Sequence, residues 1–266
     1  MNKHSFMQEW PLAAFTLGIQ VASGFAIATM FSDLAIQQPA QSAALRALGI
    51  SVFPVVAAGI LLSLAHLGRP LSALRALSNC FNSRLSLEVL LTAVFAVAAF
   101  GLSFIWWTWA TSFALLAGAT ASLLGLAAVI ASAAIYRIET KRIWNSGWVT
   151  TSFIGSTVLV VGLARLMCCG PSNSGTTSIV IGNTLLFVSG IWMWTRLSRP
   201  LEHGTKFRIW FIGYLLLLIP APLFVILFPE NSLPRNNAGF VCFLAALGLV
   251  AGRGLMLRLG EQEPPF

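Results

Sequence analysis

The sequence predicts an all-α fold, a polytopic membrane helical bundle with eight transmembrane helices, and two observations support this prediction. First, 57% of the 266 residues are hydrophobic and only 9% are charged, against about 25% charged residues in ordinary soluble domains. So few charged groups cannot keep a globular surface solvated and free of apolar patches. Second, the apolar residues form charge-free runs of about 20 residues, the length at which a helix crosses a bilayer.

The apolar runs define the helices in chain order. The run from Val89 to Ile135 carries no charge and is too long for one helix, so the tryptophan cluster at 106–109 predicts a turn at the membrane surface, where indole rings are favoured. Gly170 and Pro171 interrupt the pattern after the fifth run. We expect a single membrane-anchor domain, residues 1–266, with spans at about 10–31, 47–66, 87–107, 111–135, 149–168, 178–196, 207–228 and 238–257.

The basic residues are distributed unequally between the two membrane faces. With alternating helix directions, 13 of the 16 Lys and Arg residues fall on the face of the N-terminus, here called face A, and only Arg46, Arg165 and Arg235 fall on the opposite face, face B. The positive-inside rule predicts that face A is cytoplasmic, with membrane lipid around the helices. A cationic docking surface for a partner subunit would produce the same asymmetry. The arginines are scattered rather than striped, so no nucleic-acid partner is expected.

The histidines and cysteines offer little capacity for a resident cofactor. His4 and His203 lie in polar segments, and only His66 lies near a helix end, so two histidines cannot face each other at membrane depth as haem ligation requires. The four cysteines form no CxxC pair: Cys80, Cys168, Cys169 and Cys242. We therefore expect no haem, no iron–sulfur cluster and no other metal in this chain.

The densest group of reactive side chains lies between the second and third predicted helices. Gly68 and Pro70 end the second helix just after His66, which places this imidazole in the last turn, near the membrane surface. Glu88 is expected to begin the third helix, where the helix dipole favours a carboxylate. Ionisable groups at membrane depth are candidates for function. A wetted interfacial histidine and a structural helix-start glutamate remain the alternative interpretation.

Two further polar clusters are expected on face A. Glu9 is expected to cap the first helix, with Trp10 beside it and Pro11 close to the first turn. Tyr136 and Arg137 follow the fourth helix. Each cluster could be a simple interfacial anchor, but together they collect at the ends of the first four helices, which is a suitable place for a lipid-headgroup or quinone site.

Several segments of the chain resemble the membrane anchor subunit of dimethyl sulfoxide reductase (DmsC family). The resemblance covers roughly the first 160 residues. The segments that carry it are Gln8-Glu9-Trp10-Pro11-Leu12, His66-Leu67-Gly68-x-Pro70, Leu85-Ser86-x-Glu88 and Tyr136-Arg137.

The resemblance implies a specific role in anaerobic respiration. A member of this family is an anchor without haem that oxidises menaquinol, passes the electrons to a four-cluster iron–sulfur subunit, and holds that subunit and a molybdopterin catalytic subunit at the membrane. A polytopic transporter or channel and a purely structural anchor are the alternatives. Transporters tend to carry polar groups at the bilayer midplane, whereas the predicted helix centres here are nearly free of charge, which favours the anchor.

The resemblance also assigns residues. It implies that His66 and Glu88 are the catalytic pair and that Gly68 is the motif glycine. The family has an arginine two positions after the motif proline; this chain has Ser72 there, so Arg69 and Arg75 are the candidates for that role. The remaining residues expected in the quinol pocket or at its rim are Glu9, Trp10, Tyr136 and Arg137.

Overall fold

The computed structural model describes residues 4–30, 39–66, 83–108, 110–137, 144–169, 173–197, 205–227 and 235–262. Within these ranges the chain is helical, with a single 3-10 turn, Thr111–Phe113, and no strand. The helices are α1 (His4–Met30), α2 (Pro39–His66), α3 (Arg84–Thr108), α4 (Ala114–Ile135), α5 (Gly147–Cys169), α6 (Asn173–Leu197), α7 (Thr205–Leu218), α8 (Pro220–Leu227) and α9 (Arg235–Gln262).

The predicted helical membrane bundle is confirmed. Among the described residues, seven helical segments are long and apolar enough to cross a membrane, and an eighth apolar segment, Phe211–Leu223, is shorter. The tryptophan cluster does mark a break between two helices, because α3 ends at Thr108 and α4 begins at Ala114. The seven long segments are Trp10–Met30, Ala43–Ala65, Arg84–Thr108, Ala114–Ile135, Gly147–Cys169, Gly175–Thr195 and Ala238–Leu257.

Two expectations about helix starts are wrong. Because α1 begins at His4, Pro11 lies inside the helix rather than near its first turn, and Glu9 is not its cap. Because α3 begins at Arg84, Glu88 lies in the second turn, and the backbone N–H of Leu87 donates to the carbonyl of Ser83 (3.0 Å). Both helices continue beyond the apolar run into polar sequence, since backbone groups at the membrane surface can be satisfied by water.

The predicted seventh helix, 207–228, is divided in two. α7 ends at Leu218, Ile219 forms a bend, and α8 begins at Pro220. Proline has no N–H to donate to the preceding turn, and its ring disfavours helical geometry at the residue before it. Pro220 therefore sets the position of the break, which the apolar run alone does not indicate.

The chain divides into two compact units. The N-terminal unit comprises residues 10–135, and the C-terminal unit comprises residues 136–266 together with 1–9. In the N-terminal unit, α1 and α2 approach closely at two glycines, since a Cβ atom on Gly18 would lie 3.4 Å from the Cα of Gly59. Small residues at such crossings allow membrane helices to pack backbone to backbone.

In the C-terminal unit, the closest helix pair is α5 and α6. A Cβ atom on Gly182 would overlap the backbone of Leu159, and one on Gly155 would lie 3.2 Å from the backbone nitrogen of Leu186. Only glycine fits at these crossings, so backbone-to-backbone packing joins the two helices.

Candidate functional site

Glu88 is a buried carboxyl group of the N-terminal unit. Its side chain is 5% exposed, on the face of α3 that also carries the buried Thr92 one turn further along. The hydroxyl of Ser132 on α4 lies beside the Glu88 carboxyl but outside standard hydrogen-bond geometry. A carboxyl that is removed from water, with a hydroxyl beside it, is well placed to exchange protons with a bound ligand.

The end of α2 lies level with Glu88. α2 and α3 run antiparallel: Arg46 donates to the backbone carbonyls of Trp106 (3.2 Å) and Trp107 (2.9 Å), and the backbone N–H of Phe53 donates to the hydroxyl of Ser103 (3.0 Å). Continuing this register toward face A brings the last residue of α2 to the level of Glu88. That residue is His66, so its predicted position in the last helical turn is confirmed.

Glu88 is one of ten buried polar side chains among the described residues of the N-terminal unit, and seven of these ten form a group that we call the polar ladder. Each is at most 5% exposed. They come from three helices: Thr16, Gln20 and Ser23 on α1, Glu88 and Thr92 on α3, and Ser122 and Ser132 on α4.

Contacts between the helices fix the register of the ladder. A Cβ atom on Gly125 of α4 would lie 2.8 Å from the Ser23 hydroxyl on α1 and 3.0 Å from the ring of Phe95 on α3. A Cβ on Gly118 would lie 3.5 Å from Met30, which continues the same antiparallel register of α1 and α4. With Glu88 beside Ser132, this register gives the depth of each ladder residue below face A. Thr16, Glu88 and Ser132 lie at one level, Gln20 and Thr92 lie one helical turn deeper, Ser23 lies deeper again, and Ser122 is the deepest.

The other predicted site residues fall into three groups. Trp10, at the start of the first span, is 49% exposed, as expected of an interfacial side chain. Tyr136 and Arg137 belong to the C-terminal unit, where the Tyr136 ring is buried against Trp144 at a centroid distance of 5.4 Å and Arg137 is exposed. The side chains of Glu9 and His66, and the whole of Gly68, Arg69 and Arg75, lie outside the described residues.

One of the basic residues counted for face A is buried. The side chain of Arg253 is 3% exposed inside the C-terminal unit. Its guanidinium lies 3.8 Å above the centroid of the Phe153 ring, a cation–π contact, and Nη1 contacts the Met256 sulfur at 3.3 Å. The indole N–H of Trp144 donates to the carbonyl of Met256 (3.0 Å), so this cluster ties the segment before α5 to α9.

Comparison with known families gives a clear result. The sequence model of the DMSO reductase anchor subunit family (DmsC) matches residues 3–195. The chain belongs to this family. Comparison with curated proteins and with solved structures found no match. The family match continues past the first 160 residues and covers the whole N-terminal unit together with α5 and most of α6.

Family membership establishes the general role of this DmsC-family subunit. It is a multi-pass membrane anchor of a DMSO reductase-type complex and associates with other subunits of that complex. The matched range contains His66, Glu88 and the entire polar ladder. Sequence analysis missed the ladder, although Thr16, Gln20 and Ser23 recur at the i, i+4, i+7 spacing of a single helix face.

Proposed function

We propose that this anchor subunit oxidises menaquinol in the bacterial inner membrane. The electrons of the menaquinol pass to a four-cluster iron–sulfur subunit. The anchor holds this subunit at the membrane together with a molybdopterin catalytic subunit. The observation that carries the proposal is the buried carboxyl of Glu88 at the level of His66, the last residue of the neighbouring helix. The membership in an anchor family of DMSO reductase supports it.

The chemistry assigned to the two residues is proton transfer. The imidazole of His66 forms a hydrogen bond to one quinol hydroxyl and orients the ring. The carboxylate of Glu88 accepts the proton as a quinol O–H bond breaks. Complete oxidation to the quinone releases two protons and two electrons, and the electrons go to the iron–sulfur cluster of the partner that lies nearest, because we expect neither haem nor cluster in this chain.

The remaining pocket residues have supporting roles in this proposal. Gly68 is the motif glycine, and Arg69 or Arg75 stabilises negative charge as the quinol loses protons. Trp10, which is exposed at the start of the first span, lies at the rim of the pocket.

Two substitutions test the site in the intact complex. We expect Glu88→Gln and His66→Ala to abolish reduction of the terminal acceptor by a menaquinol analogue, while a soluble dye that reduces the catalytic subunit directly still supports full turnover. Thr120→Val is the matched control, since this hydroxyl is exposed on α4 and bonds only to the carbonyl of its own helix at Leu116 (2.9 Å). Normal quinol-driven turnover in both site variants would refute the assignment.

A purely structural anchor makes a different prediction. Such a subunit would not bind a quinone analogue, whereas the proposed site binds it in the wild-type complex and loses affinity in His66→Ala. Titration of a fluorescent quinone analogue against purified complex measures this directly. A transporter would instead carry solute or ion across vesicles that contain this subunit alone, independently of both substitutions.

A further inference from the structure

Ser132 is the member of the polar ladder that lies beside the Glu88 carboxyl. The register of α3 and α4, which run antiparallel on either side of a short connection, supports this contact. A Cβ atom on Gly125 of α4 would lie 3.0 Å from the ring of Phe95 on α3. Moving two helical turns, or seven residues, towards face A leads from Gly125 to Ser132 and from Phe95 to Glu88. The two side chains therefore lie at the same level, on the faces where α3 and α4 meet.

The hydroxyl of Ser132 is not used by its own helix. Serine and threonine hydroxyls inside helices normally donate to a carbonyl three or four residues earlier, as Thr29 does to Ala26 (2.7 Å). Ser132 is 1% exposed, and its hydroxyl forms no hydrogen bond of standard geometry in the part of the chain that the structure describes. Because buried hydroxyls are almost always hydrogen-bonded, the Ser132 hydroxyl needs a partner, and the carboxyl of Glu88 lies beside it.

The carboxyl of Glu88 has the matching need. Its side chain is 5% exposed, and a buried carboxylate is costly unless a donor compensates for its charge. A serine hydroxyl can donate to a carboxylate, and it can accept from a protonated carboxyl, because it rotates about its own C–O bond. Ser132 can therefore serve Glu88 in both protonation states without any movement of α3 or α4.

We propose that Ser132 is a positioning residue for Glu88. This inference rests on the proposed quinol oxidation. The Ser132 hydroxyl donates to one oxygen of the Glu88 carboxylate, a rotation of the side chains completing the bond, and the other oxygen is thereby held towards the quinol. When the quinol O–H bond breaks, its proton binds to that second oxygen, and Ser132 keeps its own proton throughout. Ser132 acts on the base and does not contact the quinol.

Ser132→Ala tests this role in the intact complex, and Ser122→Ala is the matched control. Both serines are buried on α4, and neither hydroxyl forms a bond of standard geometry to a described residue. Ser122 lies ten residues earlier, which is about 15 Å along the helix axis at about 1.5 Å per residue. The control therefore removes the same kind of hydroxyl from the same helix, far from Glu88.

We expect Ser132→Ala to lower the kcat of quinol-driven turnover by about tenfold, the lower end of what a hydrogen bond to a charged group contributes. The KM for quinol should not change, because the lost interaction is with the base rather than with the ligand. Ser122→Ala should match the wild type in both constants. A soluble dye that reduces the catalytic subunit directly should support full turnover in both variants.

Infrared spectroscopy of the purified complex detects the hydrogen bond without relying on turnover. Each hydrogen bond that a protonated carboxyl forms lowers the frequency of its C=O stretching band. The band of Glu88 is identified in difference spectra between acidic and alkaline buffer as the one that is missing from Glu88→Gln. We expect this band to move to higher frequency in Ser132→Ala and to keep its wild-type position in Ser122→Ala.

The outcomes separate the positioning role from the site itself. An unshifted Glu88 band in Ser132→Ala, or a quinol-driven kcat equal to that of Ser122→Ala, would overturn the role of Ser132 even when Glu88→Gln is inactive. A raised KM with an unchanged kcat would also overturn it, because Ser132 would then act on the ligand. Normal quinol turnover in Glu88→Gln and His66→Ala overturns the proposed function, whereas the infrared shift would still report the contact between Ser132 and Glu88.

Discussion

The buried hydroxyl groups of the two units differ in whether they donate hydrogen bonds to their own helices. In the C-terminal unit, Ser156, Thr157 and Ser189 each donate to a carbonyl of their own helix, at 2.8, 3.1 and 2.8 Å. In the N-terminal unit, the ladder residue Thr16 also donates to its own helix, at the carbonyl of Ala13 (3.0 Å). Four other ladder hydroxyls form no hydrogen bond of standard geometry within the described residues: Ser23, Thr92, Ser122 and Ser132. A hydroxyl that bonds its own backbone adds little polarity to the space beside the helix, whereas one that does not remains available to a ligand or to water. The difference supports the proposal that the site lies in the N-terminal unit.

The units also differ in how they are held together. α5 and α6 of the C-terminal unit meet at glycines where a side chain would overlap the facing backbone, and the Phe153 ring is covered by Arg253. In the N-terminal unit, α1 and α2 also meet at glycines, but without overlap of a Cβ with the facing backbone. Side-chain groups join α2 to α3, because Arg46 caps the carboxyl end of α3 and Ser103 bridges α2 and α3. Dense packing in one unit and polar contacts in the other imply different responses to mutation.

The largest difference is expected from truncating the two fully buried phenylalanines. Phe153→Ala should lower the free energy of unfolding by about 3–5 kcal/mol, because it leaves a cavity and removes the cation–π contact with Arg253. Phe95→Ala should cost less, since the space it opens beside Ser23 is polar enough to admit water. Thermal denaturation of the purified complex measures both. A larger loss for Phe95→Ala would show that the polar groups beside Phe95 do not reduce the cost of the cavity.

A smaller effect is expected from adding one methyl group to the α5–α6 crossing. In Gly182→Ala the new Cβ overlaps the backbone of Leu159, and relieving such overpacking costs about 1–3 kcal/mol. Gly213→Ala on α7 is the control, because no described atom lies within 4 Å of its Cβ position; alanine there is neutral or stabilises the helix by up to about 1 kcal/mol. Equal thermal shifts in the two variants would show that α5 and α6 separate more easily than their spacing implies.

The sequence predicted the fold where hydrophobicity alone decides it. Charge-free runs identified the spans, and the break at the tryptophan cluster was correct because interfacial preference is a property of the residue itself. The errors came from local backbone chemistry. Pro220 divides α7 from α8 inside a continuous apolar run, while Pro11 is accommodated inside α1. Neither outcome can be deduced from hydropathy.

The candidate site was predicted only in part. His66 and Glu88 were chosen by their type and position, and their equal level follows from the register of α2 and α3, which requires contacts such as that of Phe53 with Ser103. The burial of Arg253 likewise depends on a ring that lies 100 residues earlier in the sequence. Predicting the polar ladder requires two observations. The spacing of its residues along α1 can be seen in the sequence, but the alignment of α1 with Ser132 of α4 cannot, because packing sets the register between helices.

The smallest expected difference compares a hydroxyl that joins two helices with one that bonds only its own. Ser103 donates to the carbonyl of Gly49 and accepts from the N–H of Phe53, both at 3.0 Å. Ser103→Ala should therefore lower the free energy of unfolding by about 1–2 kcal/mol. Ser156→Ala should change it by less than about 0.5 kcal/mol, because the carbonyl of Ser152 keeps its helical partner. Thermal denaturation of the purified complex distinguishes the two, and an equal loss would mean that the Ser103 bridge does not stabilise the α2–α3 pair.

Since that pair sets the level of His66 against Glu88, a destabilised Ser103→Ala complex should also show weaker binding of a quinone analogue, whereas Ser156→Ala should not.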